Sequence, residues 1–285
     1  MPLSSRSIET KQRLASFMDN DAWAVLVEPE GKVHVVEMQP GVRKVKGLGV
    51  FDPIEAIGKA AYGATITVGQ KKLTRMPPRL PELSKGMLRR AQTISAKDAG
   101  YLIARMGLGS GDRVLEAGLG SAGLSMHIAR SLGGSGLHVT VEPRTEHAEV
   151  GLKNMIRAKQ SWAEFPEHHH VEGAIEEVTD AIQTHAETFD AIILDLPNHT
   201  PAVGAVAPLL AVGGRLACYC PVTSQVEAAW FACEEAGLEV EWAGELIERQ
   251  WGKASKGGMR PVNGPFGHTA FLLIAQRISV DELTQ

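Results

Sequence analysis

Val114-Leu115-Glu116-Ala117-Gly118-Leu119-Gly120-Ser121-Ala122-Gly123-Leu124 decides how this chain is read: an apolar strand runs into a Gly-x-Gly-x-x-Gly turn that opens a helix. Gly118 and Gly120 remove side chains where backbone must approach a ligand, and Gly123 lets helix and strand pack closely. Such a turn is a weak signal by itself, and its surroundings sharpen it. The next strand, residues 136–142, ends on Glu142, where a carboxylate can accept hydrogen bonds from both ribose hydroxyls of an adenosine. Glu116, just ahead of the glycines, would repel a pyrophosphate at close range, whereas a ligand carrying an ammonium and a sulfonium would tolerate or favour it. Either carboxylate alone could be a plain strand-end residue. Together they favour a methyl donor, S-adenosylmethionine, over NAD.

Outward from this turn the chain alternates strand and helix. Residues 96–108 have apolar positions at helical spacing, broken by Gly109-Ser110-Gly111; helices follow at 121–134 and 146–159, and the run FDAIILDLP at 189–197 reads as a fully apolar strand. Strands at 214–221 and 268–277 and a helix at 224–237 complete the rhythm. The pattern predicts an α/β, Rossmann-like domain, a mostly parallel sheet with helices on both faces. Ahead of it, WAVLVEP and KVHVVEM, joined at Glu30-Gly31, read as a β-hairpin, and ATITVGQKKL continues the strand character. We therefore expect a small N-terminal β domain over 1–75, with helix only at the very N-terminus. A proline-marked extended connector over 76–93 and a catalytic domain over 94–285 follow.

Composition narrows the function classes. No stretch of the 285 residues approaches the roughly 18 apolar residues that span a bilayer, and the opening MPLSSRSIETKQRL lacks an apolar block behind its basic residues, so a cytoplasmic protein is expected. Cys218, Cys220 and Cys233 lack the second short-spaced pair of a structural zinc site and read as core thiols. His168-His169-His170 reads as a solvated loop leading into a strand. The net charge of −4 hides an uneven distribution: residues 40–97 hold twelve Lys or Arg against three acids, a field suited to a polyanion.

Four stretches in order carry a resemblance. Leu88-Arg89-Arg90-Ala91-Gln92-Thr93-Ile94, Val114 to Leu124, Leu194-Asp195-Leu196-Pro197 and Gly267-His268-Thr269-Ala270-Phe271-Leu272 are similar to the opening segment, cofactor loop, catalytic motif and final strand of the tRNA adenine-N1 methyltransferases. These are class I S-adenosylmethionine-dependent enzymes that modify adenosine 58 in the tRNA T-loop, and the resemblance spans about residues 45 to 278. It implies that Gln92, Glu116, Gly118, Gly120, Ser121, Gly123 and Leu124 line the methionine end of the cofactor. Glu142 would hold the ribose, and Ala174 and Ile175 would flank the adenine. Asp195 would be the catalytic carboxylate, also touching the cofactor, and Tyr219 an aromatic beside the target base. Arg89, Arg90 and His268 would join Tyr219 in binding substrate tRNA, and a homotetramer would be the assembly. Two positions depart from the pattern: Ser95 stands where bacterial members commonly have tyrosine, and Asn198-His199-Thr200 follows Asp195-Leu196-Pro197 where eukaryotic members often continue with serine, proline and tryptophan.

Adenine N1 has a free lone pair, so no strong base is required; holding the nucleophile roughly 3 Å from the methyl carbon and in line with the sulfur is the main task. The product is cationic, and a carboxylate accepting a hydrogen bond from the exocyclic amine, the role implied for Asp195, would stabilise that charge. The stacked base must be extruded to be reached. The basic segment 40–97 would hold phosphates around it, and Arg249, Lys253, Lys256 and Arg260 could add a second contact. The alternatives are a class I methyltransferase acting on another substrate such as a protein carboxylate, a tRNA-binding paralogue without catalysis, and an NAD-dependent dehydrogenase.

Overall fold

The computed structural model describes residues 22–254, 257–262 and 267–279; the expected N-terminal helix and Lys256 lie outside them. The described residues divide into two compact units, those up to 88 with 153–164, and those of 89–152 with those from 165 onward.

In the described part of the first unit, β1 (Trp23–Val27), β2 (Val33–Glu37), β5 (Thr65–Val68) and β6 (Lys71–Met76) form an antiparallel sheet of order β2-β1-β6-β5. Alternate residues of β2 are buried, as expected of a strand with one wet face, and Leu26, Val36, Ile57 and Leu73 anchor the core. Between β2 and β5 stand the small hairpin β3 (Arg43–Val45) and β4 (Gly49–Phe51) and a short helix α1 (Pro53–Ile57), whose N–H groups at Ile54 and Glu55 donate to Asp52. The proline-rich stretch read as an extended connector instead contains a helix, α2 (Leu80–Lys85). Pro81 falls in its first turn, where a missing N–H is no loss, so a proline can open a helix as readily as break one. Arg75 is fully buried, donating to the carbonyls of Ile57 and Ala60 under the Tyr62 ring, and so is withdrawn from the basic field of residues 40–97.

The second unit opens with α3 (Ala96–Met106), capped by Ser95 and ended by Gly107 in the left-handed conformation. Then come β7 (Arg113–Ala117), α4 (Gly123–Leu132), β8 (Leu137–Glu142) and α5 (Thr145–Ser161), whose first part belongs to this unit. They are followed by β9 (Glu167–Glu172), α6 (Thr179–Gln183), β10 (Phe189–Leu194), α7 (Thr200–Val206), β11 (Leu210–Cys220), α8 (Thr223–Glu235), β12 (Glu239–Glu245) and β15 (Phe271–Gln276). The hairpin β13 (Trp251–Lys253) and β14 (Met259–Pro261) precedes β15. The seven main strands are ordered β12-β15-β11-β10-β7-β8-β9; β7 to β11 pair in parallel, and β15 runs antiparallel to both its neighbours. β10 explains the apolar run: Ile192 and Leu194 join one buried cluster while Ala191 and Ile193 join the other, so both faces are covered.

The three histidines are not in a loop. They lie within β9, the sheet edge, where Thr140 of β8 meets His168 and His170. A half-buried edge strand needs no apolar run, which is why its sequence reads as solvated. All three cysteines are buried free thiols, and burial pushes that of Cys220 up to about 12. Among the described residues no helix is long and apolar enough to cross a membrane.

Candidate active site

The sheet grows outward from β7 through β8 to β9 on one side and from β10 to β11 on the other, so a crevice opens beyond the carboxyl ends of β7 and β10. The two strand ends are laced together where Asp195 N donates to Ala117 O at 2.9 Å. Gly118 follows with φ +94°, and a Cβ there would stand 2.2 Å from Asp195 O, so only glycine fits. Gly118 N and Leu119 N donate to Val141 O, which bends the turn over β8. A Cβ at Gly123 would meet Thr93 at 2.8 Å, and Ala122, at φ +61°, carries the left-handed step into α4. The Ser121 hydroxyl oxygen accepts from Arg90 N at 3.0 Å and Ala91 N at 3.1 Å, tying the 89–94 segment to the glycine turn.

These contacts enclose a cavity of about 190 Å³. Gln92, Glu116, Gly118, Gly120, Ser121, Gly123 and Leu124, the residues placed by resemblance at the methionine end, all line it, together with Asp195 and Arg144. Glu142, Ala174 and Ile175 do not. Ile175 opens a short 3-10 turn after β9 and is buried in the core, with Ala174 just before it.

Burial dominates the electrostatics. Ser125 Oγ donates to Glu116 Oε1 at 3.0 Å, and His138 Nε2 lies 2.9 Å from Glu116 Oε2. Enclosure pushes the Glu116 carboxyl up to about 8 and the His138 imidazole down to about 3. The formal charge read from the sequence at Glu116 is therefore a carboxyl held largely neutral near pH 7, with the Ser125 hydroxyl donating to it. Asp195 is raised to about 7 by burial, then by the Glu116 and Glu142 charges. Glu142 differs: burial opposes its charge, but Arg144 and Gly120 N prevail and hold its carboxyl below the usual range. Its Oε1 accepts from Arg144 N and Nε, and its Oε2 from Gly120 N and Arg144 Nη2.

None of the four residues assigned to substrate lines this cavity. Tyr219, near the end of β11, is nearly buried and hydrogen-bonded to Thr269, and burial raises its phenol above the usual range. His268 Nδ1 faces Glu245 Oε2 at 2.9 Å and Nε2 faces Pro221 O at 3.1 Å; both partners are acceptors, so the ring donates from both nitrogens, and Glu245 holds its pKa up. Arg89 and Arg90 are exposed, with Arg90 3.9 Å from Glu146.

Two features escaped the sequence reading. Lys97 Nζ donates to buried Asp98, to Leu246 O and to Thr269 Oγ1, so it too leaves the basic field. Ser95, which stands where bacterial members of the family commonly have tyrosine, caps α3 and donates to Asp98. Arg144 is the other omission: an arginine two residues past a strand-end carboxylate carries no periodic signal, and only the turn geometry folds it back.

Residues 75–257 match the family described as the GCD14 subunit of the tRNA methyltransferase complex. The chain is 31% identical over 216 residues to the tRNA (adenine(57)-N(1)/adenine(58)-N(1))-methyltransferase TrmI of Methanocaldococcus jannaschii, covering 70% of this chain and 76% of that one. It is 30% identical over 260 residues to the tRNA (adenine(58)-N(1))-methyltransferase TrmI of Thermus thermophilus, covering 89% and 96%. Among solved structures, an S-adenosylmethionine-dependent O-methyltransferase from Thermotoga maritima superposes with TM-score 0.75 at 23% identity over 93% of this chain and 96% of that one. The tRNA (m1A58) methyltransferase TrmI from Aquifex aeolicus gives 0.66 at 22% over 92% and 98%. The latter two establish the fold, and the match over residues 75–257 establishes the relationship: the chain belongs to the GCD14 family of tRNA methyltransferase complex subunits.

Proposed function

We propose that this protein is a tRNA methyltransferase that transfers a methyl group from S-adenosylmethionine to N1 of adenosine 58 in the T-loop. The observation that carries the reading is Asp195 on the wall of a glycine-turn cavity, in a chain of this family. The residues fit the donor: Gly118 and Gly120 leave backbone bare at the cavity, and Glu116 lies at its wall with the Ser125 hydroxyl donating to it. When bound, S-adenosylmethionine supplies an electrophilic methyl on a positively charged sulfur. Gln92, Gly118, Gly120, Ser121, Gly123 and Leu124 enclose its methionine end, and Glu142, Ala174 and Ile175 serve its nucleoside end. Asp195 accepts a hydrogen bond from the exocyclic amine of adenine and stabilises the positive charge that develops on the ring. Tyr219 backs the extruded base, and exposed cations including Arg89 and Arg90 hold the phosphates around it. A homotetramer in the cytoplasm is the assembly and location we assign.

Incubating an unmodified tRNA transcript with the protein and S-adenosylmethionine, then digesting it for mass-spectrometric nucleoside analysis, tests the reading. The expected product is 1-methyladenosine at position 58. Transcripts with adenosine at 57, 58 or both decide whether the neighbouring base is also a substrate, as the name of the Methanocaldococcus relative suggests. Methylation of a protein carboxylate instead, or no RNA product with intact cofactor binding, would overturn it.

A further inference from the structure

We infer that Arg144 is a displaceable internal ligand of Glu142, closing the ribose-binding carboxylate until the hydroxyls of the cofactor replace it. The inference rests on the methyl-donor reading of the cavity. A carboxylate offers about four acceptor positions, and on Glu142 four donors already fill them: Arg144 N and Nε on Oε1, Gly120 N and Arg144 Nη2 on Oε2. The side chain is 0% exposed. A ribose with two neighbouring hydroxyls needs two of those positions. Gly120 N and Arg144 N are backbone, fixed by the glycine turn and by the approach to α5, so only the two guanidinium bonds can yield.

The guanidinium is free to leave. The Arg144 side chain is 55% exposed, so rotating outward restores its hydration without opening the core. Glu146, whose charge already acts on it, stands on the first turn of α5; Asp195 is the other carboxylate that acts on it. The cavity agrees. It is lined by Arg144 and not by Glu142, and its 190 Å³ falls short of the roughly 300 Å³ at which ligand pockets begin. Withdrawing the guanidinium lengthens it toward the carboxylate. Cofactor affinity is therefore lowered by whatever fraction of the protein holds the closed pair, and that reduction applies to ligands that use Glu142.

The test is a cycle between protein and ligand. S-adenosylhomocysteine and its 2′,3′-dideoxyribose analogue are titrated calorimetrically into the full-length wild-type protein, R144M and R144K at pH 8. R144M keeps the aliphatic stem and loses the competing donors; it should bind S-adenosylhomocysteine about 5- to 30-fold tighter, while the dideoxy analogue binds both proteins alike within about twofold. R144K, with one compact charge in place of the fork, should fall between them. If R144M binds S-adenosylhomocysteine equally or more weakly, Arg144 is no competitor and the inference fails; a loss that tracks the hydroxyls would make it a donor to the ribose instead. A tighter R144M with the same gain for the dideoxy analogue overturns it too, since the gain would not come through Glu142. Absence of any binding by the wild-type protein defeats the methyl-donor reading itself, a result distinct from all of these.

Discussion

His138 Nε2 stands 2.9 Å from Glu116 Oε2 beneath the glycine turn, both side chains enclosed, with Ser125 Oγ donating to the other carboxyl oxygen. His127 is the further charge that bears on Glu116. The Ser125 bond favours an ionised carboxylate, and burial opposes it. A cationic ligand in the cavity reverses that balance. With Glu116 raised to about 8 and Asp195 to about 7, binding at pH 7 should release protons and affinity should climb between about pH 6 and 8. Calorimetric titration of S-adenosylmethionine in two buffers of different ionisation enthalpy measures the release directly. Equal apparent enthalpies in both buffers would sink the idea.

The same shift acts on the free protein. Glu116 is protonated in the folded state up to about 8 but only to its ordinary 4.5 when unfolded, so the native state binds more protons across that window. Its contribution is complete below pH 4.5 and lost as pH rises through 8. Glu116→Gln, which cannot ionise, should therefore gain thermal stability relative to wild type as pH goes from about 5 to 9. Parallel melting curves for the two proteins across that range would refute the assignment.

How far the sequence could be read follows from which signals are periodic. The apolar runs of β7 and β10 and the glycine turn between β7 and α4 place the cavity, because backbone geometry there tolerates few residue types, and the family resemblance adds Gln92 to its lining. β9 stayed hidden because an edge strand of histidines carries no apolar run, and α2 because its one proline, Pro81, sits at the helix start. The polar groups that tune the site were less legible still. Lys97 with Asp98 and Arg144 with Glu142 are adjacent or two apart in sequence, yet their pairing depends on a helix cap and a turn. The charge state of Glu116 depends on its burial, which the sequence around it does not reveal.

Glycines separate by surroundings. Gly118→Ala forces a Cβ to 2.2 Å from Asp195 O in a left-handed backbone, so it should cost roughly 2–4 kcal/mol and abolish cofactor binding. Gly100, inside α3 with nothing within 4 Å of where a Cβ would stand, should instead gain about 0.5–1 kcal/mol as alanine. Urea unfolding of both variants supplies the comparison. A tolerated Gly118→Ala would mean that the turn is not held against β10 as described.

The RNA surface has an electrostatic signature. Arg89 and Arg90 are exposed, and neutralising both should flatten the slope of log affinity against log salt for tRNA by up to about two units, with little change in cofactor affinity. Filter binding across a salt series measures it, and an unaltered slope would put the phosphates on other cations.

Asp195→Ala addresses the chemistry itself. The carboxyl closes β10, its backbone N–H is tied to Ala117 O, and its side chain shares the cavity with Glu116 and Gly118. Because the backbone bond survives the substitution, the glycine turn should survive too, and cofactor affinity should change by less than about 1 kcal/mol. Methyl transfer, in contrast, should slow roughly 10²–10⁴-fold, the range for a positioned group that stabilises charge in the transition state. Asp195→Asn sharpens the argument: its amide oxygen can still accept from the adenine amine but carries no charge, so it should recover part of the rate if hydrogen bonding orients the base and none if charge is the whole effect. Single-turnover rates with saturating tRNA, set against separately measured cofactor affinity, distinguish these. Wild-type rates in Asp195→Ala would remove the residue from the reaction, whatever the cavity binds.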